Sequence, residues 1–322
     1  MKDIRYGILG PGYIAPRFVE AVFLSKNGTV VAVASQTENK AAQFAKKHDI
    51  ALSFNTYTDL CQCEDVDVVY ISTRHNDHYD HIMLALTHHK HVLVEKPMVL
   101  TKAHATACFD YAKKHGLFLM EAQKMVFLPL IQHLKKKIDQ GIIGKLRLIE
   151  TSFSFADRFS DDHWMISFDH GGGLYATASY GLSFSHFFAN SPVKELTALA
   201  SLYDNRADRF GVATLLYKNN ILAHTRFGTD VETRNRAYLY GSKGYIVIDT
   251  FWKNDFAILN TYDGEKQDIL VDTLNDMVYE IDHVNECINE SLKESSIMSS
   301  EFSITLADNI EQIKNMITEK GV

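Results

Sequence analysis

Two short runs hold residue types suited to chemistry. Gly10-Pro11-Gly12-Tyr13-Ile14-Ala15 fits G-x-G-x-x-G/A, and Glu95-Lys96-Pro97 follows the apolar run Val92-Leu93-Val94. In the first, Gly10 permits a tight turn, Gly12 lets a pyrophosphate approach the backbone, and Ala15 lets a helix pack close to a strand. The free N–H groups at the helix start then hold the phosphates. In the second, an ammonium stands at the end of a strand, where open α/β sheets bind ligands. Beside a nicotinamide, Lys96 can hydrogen-bond a substrate oxygen and stabilise developing alkoxide charge. Glu95 would orient it, and Pro97 would hold the turn.

The tip of the second strand, Val33-Ala34-Ser35-Gln36-Thr37, bears on the choice of dinucleotide. A carboxylate there accepts from both ribose hydroxyls of NAD and repels a 2′-phosphate. Ser35 and Gln36 stand at this tip, with Lys40 in the next helical turn, so NADP is expected, with NAD as the alternative. Other polar clusters have plainer readings. His75, His78 and His81 recur at intervals of three, and His88, His89 and His91 cluster, but Cys or carboxylate partners at diagnostic spacing are missing. No metal is expected. Cys61-Gln62-Cys63 is too tight for a C-x-x-C pair, and Lys135-Lys136-Lys137 reads as the solvated face of a helix ending at Gly141.

The elements that must position these residues alternate over roughly the first 120 positions. Strands are expected at Ile4–Leu9, Val30–Ala34, Val66–Ile71, His91–Val94 and Leu117–Glu121. Helices are expected between them at Ala15–Ser25, Asn39–His48, Asp77–His88 and Lys102–His115. Strands alternating with helices of this length form βαβ units and a parallel sheet. After Pro129 a helix, Leu130–Gln140, precedes a β-rich stretch. Its strands begin with Leu146–Phe155 and continue from Val193 to Val271, with turns at Asn219-Asn220, Gly241–Gly244 and Asp263-Gly264. Consecutive strands with short turns predict an antiparallel sheet. Two helices, Asp276–Leu292 and Glu301–Lys320, close the chain. The expected fold is therefore α/β: an N-terminal Rossmann doubly wound parallel sheet at residues 1–123, then an α+β domain with a large, open, mostly antiparallel sheet at 124–322.

Composition excludes several functions. Lys and Arg total 33 against 40 Asp and Glu, a net charge of −7, so there is no global basic field for nucleic acid. The longest stretch free of these charges, His170–Val193, opens with three glycines and carries serines and His186, so it reads as a buried or site-lining segment rather than a membrane span. No signal peptide is evident, and four scattered cysteines make no disulfide scaffold. A cytoplasmic location is expected.

The chain resembles the glucose–fructose oxidoreductase/inositol dehydrogenase (Gfo/Idh/MocA) family of NAD(P)-dependent sugar and polyol dehydrogenases. The resemblance runs through the glycine turn, Thr73 to His78, Lys90 to Pro97, Met120-Glu121-Ala122, Phe127-Leu128-Pro129, Gly141–Gly144, Trp164, Gly171–Gly173 and Gly241–Gly244. Leu119–Pro129 is most similar to the dimeric dihydrodiol dehydrogenase-like branch. The resemblance implies a catalytic Lys96, a cis bond before Pro97, and a proton-relaying tyrosine after the triple glycine, best matched by Tyr180, with Tyr175 and His186 as fallbacks. It implies cofactor contacts from Gly10, Gly12, Tyr13, Ile14, Ser35, Gln36, Lys40, Thr73, Arg74, His75, His78, Glu95, Lys96, Glu121 and Trp164. The chain departs from the family where an acid should precede the relay (Ala176, Thr177 and Ala178 stand there). It departs also at Arg74-His75, and at Lys124 and Val126 in place of Trp and Arg.

Together these readings point to an NAD(P)-dependent oxidoreductase passing a hydride between nicotinamide and a carbinol or carbonyl carbon of a sugar, polyol or cyclic diol. The rival is a catalytically weak dinucleotide-binding sensor or regulatory protein. Apolar residues on both faces of the later strands, such as Ala237-Tyr238-Leu239-Tyr240, predict a homodimer or higher homo-oligomer through that sheet.

Overall fold

The computed structural model describes residues 2–156, 163–168 and 171–319. His170 and the expected helix end at Lys320 lie outside them. The chain divides into two units, one of residues 1–124 and 274–307, the other of 125–273 and 308–322.

In the first unit the elements run β1 (Ile4–Leu9), α1 (Ala15–Leu24), β2 (Gly28–Ala34), α2 (Lys40–His48), β3 (Leu52–Phe54), α3 (Tyr57–Gln62), β4 (Val68–Ile71), α4 (His78–Thr87), β5 (His91–Glu95), α5 (Lys102–His115) and β6 (Leu119–Ala122). The six strands pair in parallel in the order β3-β2-β1-β4-β5-β6. Strand order reverses at β1, and the crevice beyond the carboxyl ends of β1 and β4 is the ligand position of such sheets. β4 is buried at every residue, as its unbroken apolar run requires of a strand covered on both faces. Phe18 of α1 stacks on Tyr70 of β4 with ring centroids 3.6 Å apart, which fixes the helix after the glycine turn onto the sheet.

β3 and α3 were not expected. Three residues of strand and six of helix are too short for a period to show. The Thr56 side chain accepts from the Asp59 N–H at 3.1 Å, so a capping pattern was the available signal.

The second unit begins with α6 (Pro129–Asp139) and β7 (Leu146–Ser154), followed by α7 (Ser179–Ala189). Seven strands follow: β8 (Val193–Leu202), β9 (Asp208–Tyr217), β10 (Leu222–Gly228), β11 (Arg236–Gly241), β12 (Gly244–Asp249), β13 (Phe256–Thr261) and β14 (Lys266–Leu270). The eight strands lie in the order β14-β13-β12-β11-β7-β10-β9-β8. All pairs are antiparallel except β7 with β10, which run parallel from Leu148↔Leu222 to Ser154↔Gly228. The hairpin reading of successive strands missed this pair because β7 is separated from β10 in sequence by α7 and two strands. α7 packs on both, and Gly181 makes that approach possible: a side chain there would collide with Thr151 and Thr225.

α8 (Val278–Asn289) belongs to the first unit, where the Asn285 side chain accepts from the Tyr6 hydroxyl at 2.6 Å. The unit division falls within the last helix, α9 (Ser300–Glu319).

Candidate active site

The glycine turn is built as its sequence requires. Gly10 has φ +83°, a conformation costly for other residues, and a Cβ there would stand 2.8 Å from Thr73 Cγ2. The Gly10 N–H donates to Ala34 O at 3.0 Å, and the Gly12 N–H turns back to Gly10 O at 2.7 Å. The Ser72 hydroxyl donates to Gly10 O at 2.8 Å. No side chain caps α1 and no acid lies in its first turn, so its leading amides and positive dipole end suit an anion. The residues present therefore fit a dinucleotide pyrophosphate. Tyr13 is almost fully exposed above this turn.

At the tip of β2, Ser35 is buried and accepts from the Thr37 N–H at 3.1 Å, while Gln36 and Lys40 are exposed. Glu38, also exposed, is an acid of the same turn that the sequence reading passed over.

Lys96 follows the end of β5 and is half-buried. Glu95 accepts from the Tyr70 hydroxyl at 2.6 Å through Oε1 and from the Lys96 N–H at 3.3 Å through Oε2. The Lys96–Pro97 bond is cis, as the resemblance implied. Burial pulls the Lys96 amine down to about 8; Glu95 and Glu121 oppose that fall and Lys124 adds to it. Burial likewise pushes the Glu121 carboxyl up to about 7. An amine that changes charge this close to neutrality is suited to proton chemistry.

The surrounding loops are tied to Lys96 by buried polar groups. His78, almost wholly buried, sets Nδ1 3.0 Å from Pro97 O and Nε2 3.3 Å from Thr73 O. Its ring joins the loop after β4 to the loop after β5. Glu121 Oε1 accepts from the Met98 N–H at 3.1 Å. Thr73 meets His81 at 2.9 Å, Arg74 is exposed, and His75 is buried. The structure thus draws Gly10, Thr73, His78, Glu95, Lys96 and Glu121 into one hydrogen-bonded neighbourhood of the first unit. Among the described residues no group of His, Cys, Asp and Glu is arranged to hold a metal ion.

Trp164 and Tyr180 belong to the second unit. Trp164 opens a short 3-10 turn, Trp164–Ile166, and is half-buried. Tyr180 lies in the first turn of α7, half-buried, edge-on to Phe153 with ring centroids 5.6 Å apart. Phe153 stacks on Trp252 at 3.7 Å, and Trp252 lies 6.2 Å from the Tyr180 ring. Phe153, Trp252 and Tyr180 form one aromatic cluster. Trp252 was missed because it lies in a turn after β12, and no local spacing links it to Tyr180. Of the fallbacks, Tyr175 is buried with the Lys314 ammonium 5.4 Å from its ring centre, and burial lowers His186 to about 4.

Comparison with known proteins bears on both units. Residues 4–123 match the family model described as an oxidoreductase family with an NAD-binding Rossmann fold, and residues 131–247 match the GFO/IDH/MocA C-terminal domain. The chain is 30% identical to mouse (Mus musculus) trans-1,2-dihydrobenzene-1,2-diol dehydrogenase, over 98% of this chain and 97% of that protein. The human (Homo sapiens) protein of the same name is 28% identical over the same shares. Among solved structures, a 3-ketoreductase from Actinomadura kijaniata, in complex with NADP and TDP-benzene, superposes with TM-score 0.89 at 23% identity, covering 98% of each chain. An aldose-aldose oxidoreductase from Caulobacter crescentus, complexed with glycerol, superposes with TM-score 0.90 at 23% identity, covering 99% of this chain and 98% of that one.

Proposed function

The chain belongs to the GFO/IDH/MocA oxidoreductase family, and on that footing we propose that it moves a hydride between NADP and a carbinol or carbonyl carbon of a sugar, polyol or cyclic diol. Bound nicotinamide supplies or accepts the hydride. Lys96, as the ammonium, donates a hydrogen bond to the substrate oxygen and stabilises its developing negative charge. Tyr180 gives its phenolic proton to that oxygen in reduction and takes it back in oxidation. Glu95, fixed by Tyr70, keeps the lysine charged and oriented. The observation that carries the reading is the placing of Lys96 just beyond the carboxyl end of β5, beside a Glu95 carboxylate held by the Tyr70 hydroxyl.

NADP is proposed over NAD because Ser35, Gln36 and Lys40 lie at the tip of β2. A cyclic diol or a sugar suits the aromatic cluster of Phe153, Trp252 and Tyr180, since flat apolar rings pack on the C–H faces of such molecules. The name of the mouse relative, a trans-1,2-dihydrobenzene-1,2-diol dehydrogenase, supports the cyclic-diol reading. A screen of sugars, inososes and diols with each cofactor, read at the nicotinamide absorbance, tests this. Dinucleotide binding without turnover of any of them would instead favour a sensor.

The second unit's sheet carries Tyr238 and Tyr240, stacked at 5.5 Å, with Tyr245 5.6 Å beyond Tyr240. This face supports assembly as a homodimer, which sedimentation would measure. No described helix is long and apolar enough to cross a membrane. The four cysteines are free, which supports a reducing cytoplasmic location.

A further inference from the structure

We infer that Asp208 is a positioning residue for Tyr180, acting through the helical segment that carries the phenol; the inference rests on the relay reading of Tyr180. That segment opens with a π-helical turn, Leu174–Ala178, and continues into α7. Such turns are rare and displace the side chains that follow from their α-helical positions, so what anchors this one governs where Tyr180 points.

Asp208, the first residue of β9, is wholly buried. Its Oδ2 accepts from the Leu174 N–H at 2.6 Å, pairing a carboxylate with an otherwise orphaned amide at the positive end of the helical segment. The chain makes room for it: Gly172 has φ +99°, and a Cβ there would fall inside the Asp208 carboxylate. Oδ1 has no hydrogen-bond partner among the described residues, and besides the Leu174 amide the Lys314 charge also stabilises the carboxylate. A second clamp lies one turn on. The Thr177 hydroxyl donates to Gly173 O at 2.9 Å and accepts from the Gly228 N–H at 3.1 Å. Asp208 from β9 and Gly228 from β10 thus fix the π-helical turn to the sheet.

The test compares Asp208→Asn, Tyr180→Phe and the double variant with the wild type. Asp208→Asn keeps the side-chain volume but removes the charge. It should lower kcat by about tenfold or more, the scale on which small misplacements act, with substrate KM and cofactor Kd within about twofold of wild type. Amide exchange over 174–180 should quicken. Because Asp208 acts through Tyr180, the double variant should be no slower than Tyr180→Phe alone. An unchanged kcat in folded Asp208→Asn, with Tyr180→Phe crippled, would overturn the inference, as would losses that multiply in the double variant. Full activity in Tyr180→Phe would instead remove the relay reading itself and the role of Asp208 with it. If Asp208→Asn does not fold, Asp208→Ser takes its place in the same comparison.

Discussion

The Tyr70 hydroxyl donates to Glu95 Oε1 at 2.6 Å, which ties the carboxylate beside Lys96 to the strand at the centre of the parallel sheet. The same ring of Tyr70 stacks on Phe18 of α1. One side chain therefore joins the helix of the glycine turn to the charge next to the lysine. Tyr70→Phe keeps the stack and deletes the hydroxyl. It should leave cofactor binding near wild type and lower kcat, by less than the loss of Lys96 itself. Titration calorimetry with dinucleotide, beside steady-state rates, reads both.

Glu95 has a signed effect on pH dependence. Its negative charge raises the Lys96 amine against the burial that lowers it to about 8. Glu95→Gln removes that support, so Lys96 should lose its proton at lower pH. In carbonyl reduction, where the ammonium is the active form, the rate falls as pH rises through the lysine pKa. The falling limb near 8 should move toward neutrality in Glu95→Gln. A limb that stays in place would separate it from Lys96.

Cofactor choice gives a third prediction. NADP(H) should bind more tightly than NAD(H), and Ser35→Asp should reverse the order by placing a carboxylate against the 2′-phosphate. Fluorescence titration of the reduced cofactors measures it. A wild-type preference of about tenfold or more for NAD would contradict the prediction and turn attention to Glu38.

Acid stability tests the buried staple of His78. Burial lowers this imidazole from 6.5 to about 4. Above 6.5 neither the folded nor the unfolded chain holds the proton. Between 6.5 and about 4 the unfolded chain binds it and the folded chain does not, so stability falls as pH drops through that window. Each such group contributes a slope of about 1.4 kcal/mol per pH unit. Glu121, raised to about 7, acts in the opposite sense, so the informative quantity is a difference. The slope of urea stability against pH should be smaller in His78→Asn than in wild type. Equal slopes would mean that His78 does not remain neutral in the fold.

Most of the parallel sheet was readable in the sequence because five of its strands, all but the three-residue β3, are apolar runs spaced by helices of regular period. Lys96 and the glycine turn were readable because their chemistry lies in consecutive residues. Trp252 was not, since it meets Phe153 only through the pairing of distant strands. The parallel pairing of β7 with β10 was hidden for the same reason. Asp208 gave no signal either: its partner, the Leu174 amide, has no side-chain signature, and only the closed space over Gly172 reveals the contact.

The relay reading of Tyr180 has its own test beyond the double variant. Tyr180→Phe keeps the ring against Phe153 while deleting the transferable proton. Activity should fall by about 10²–10⁴-fold, the span of a lost general acid or base. Melting temperature should change little, because a hydroxyl contributes only about 0.5–1.5 kcal/mol net.

The most direct measurement concerns Lys96. Lys96→Met retains the length and apolar stem of the side chain and removes the amine. Single-turnover reduction of a substrate found in the screen, measured with NADPH at saturation, isolates the chemical step. The account predicts a fall of about 10²-fold or more, as for loss of a charge-stabilising donor, with NADPH affinity unchanged. A hydride-transfer rate equal to wild type would contradict it.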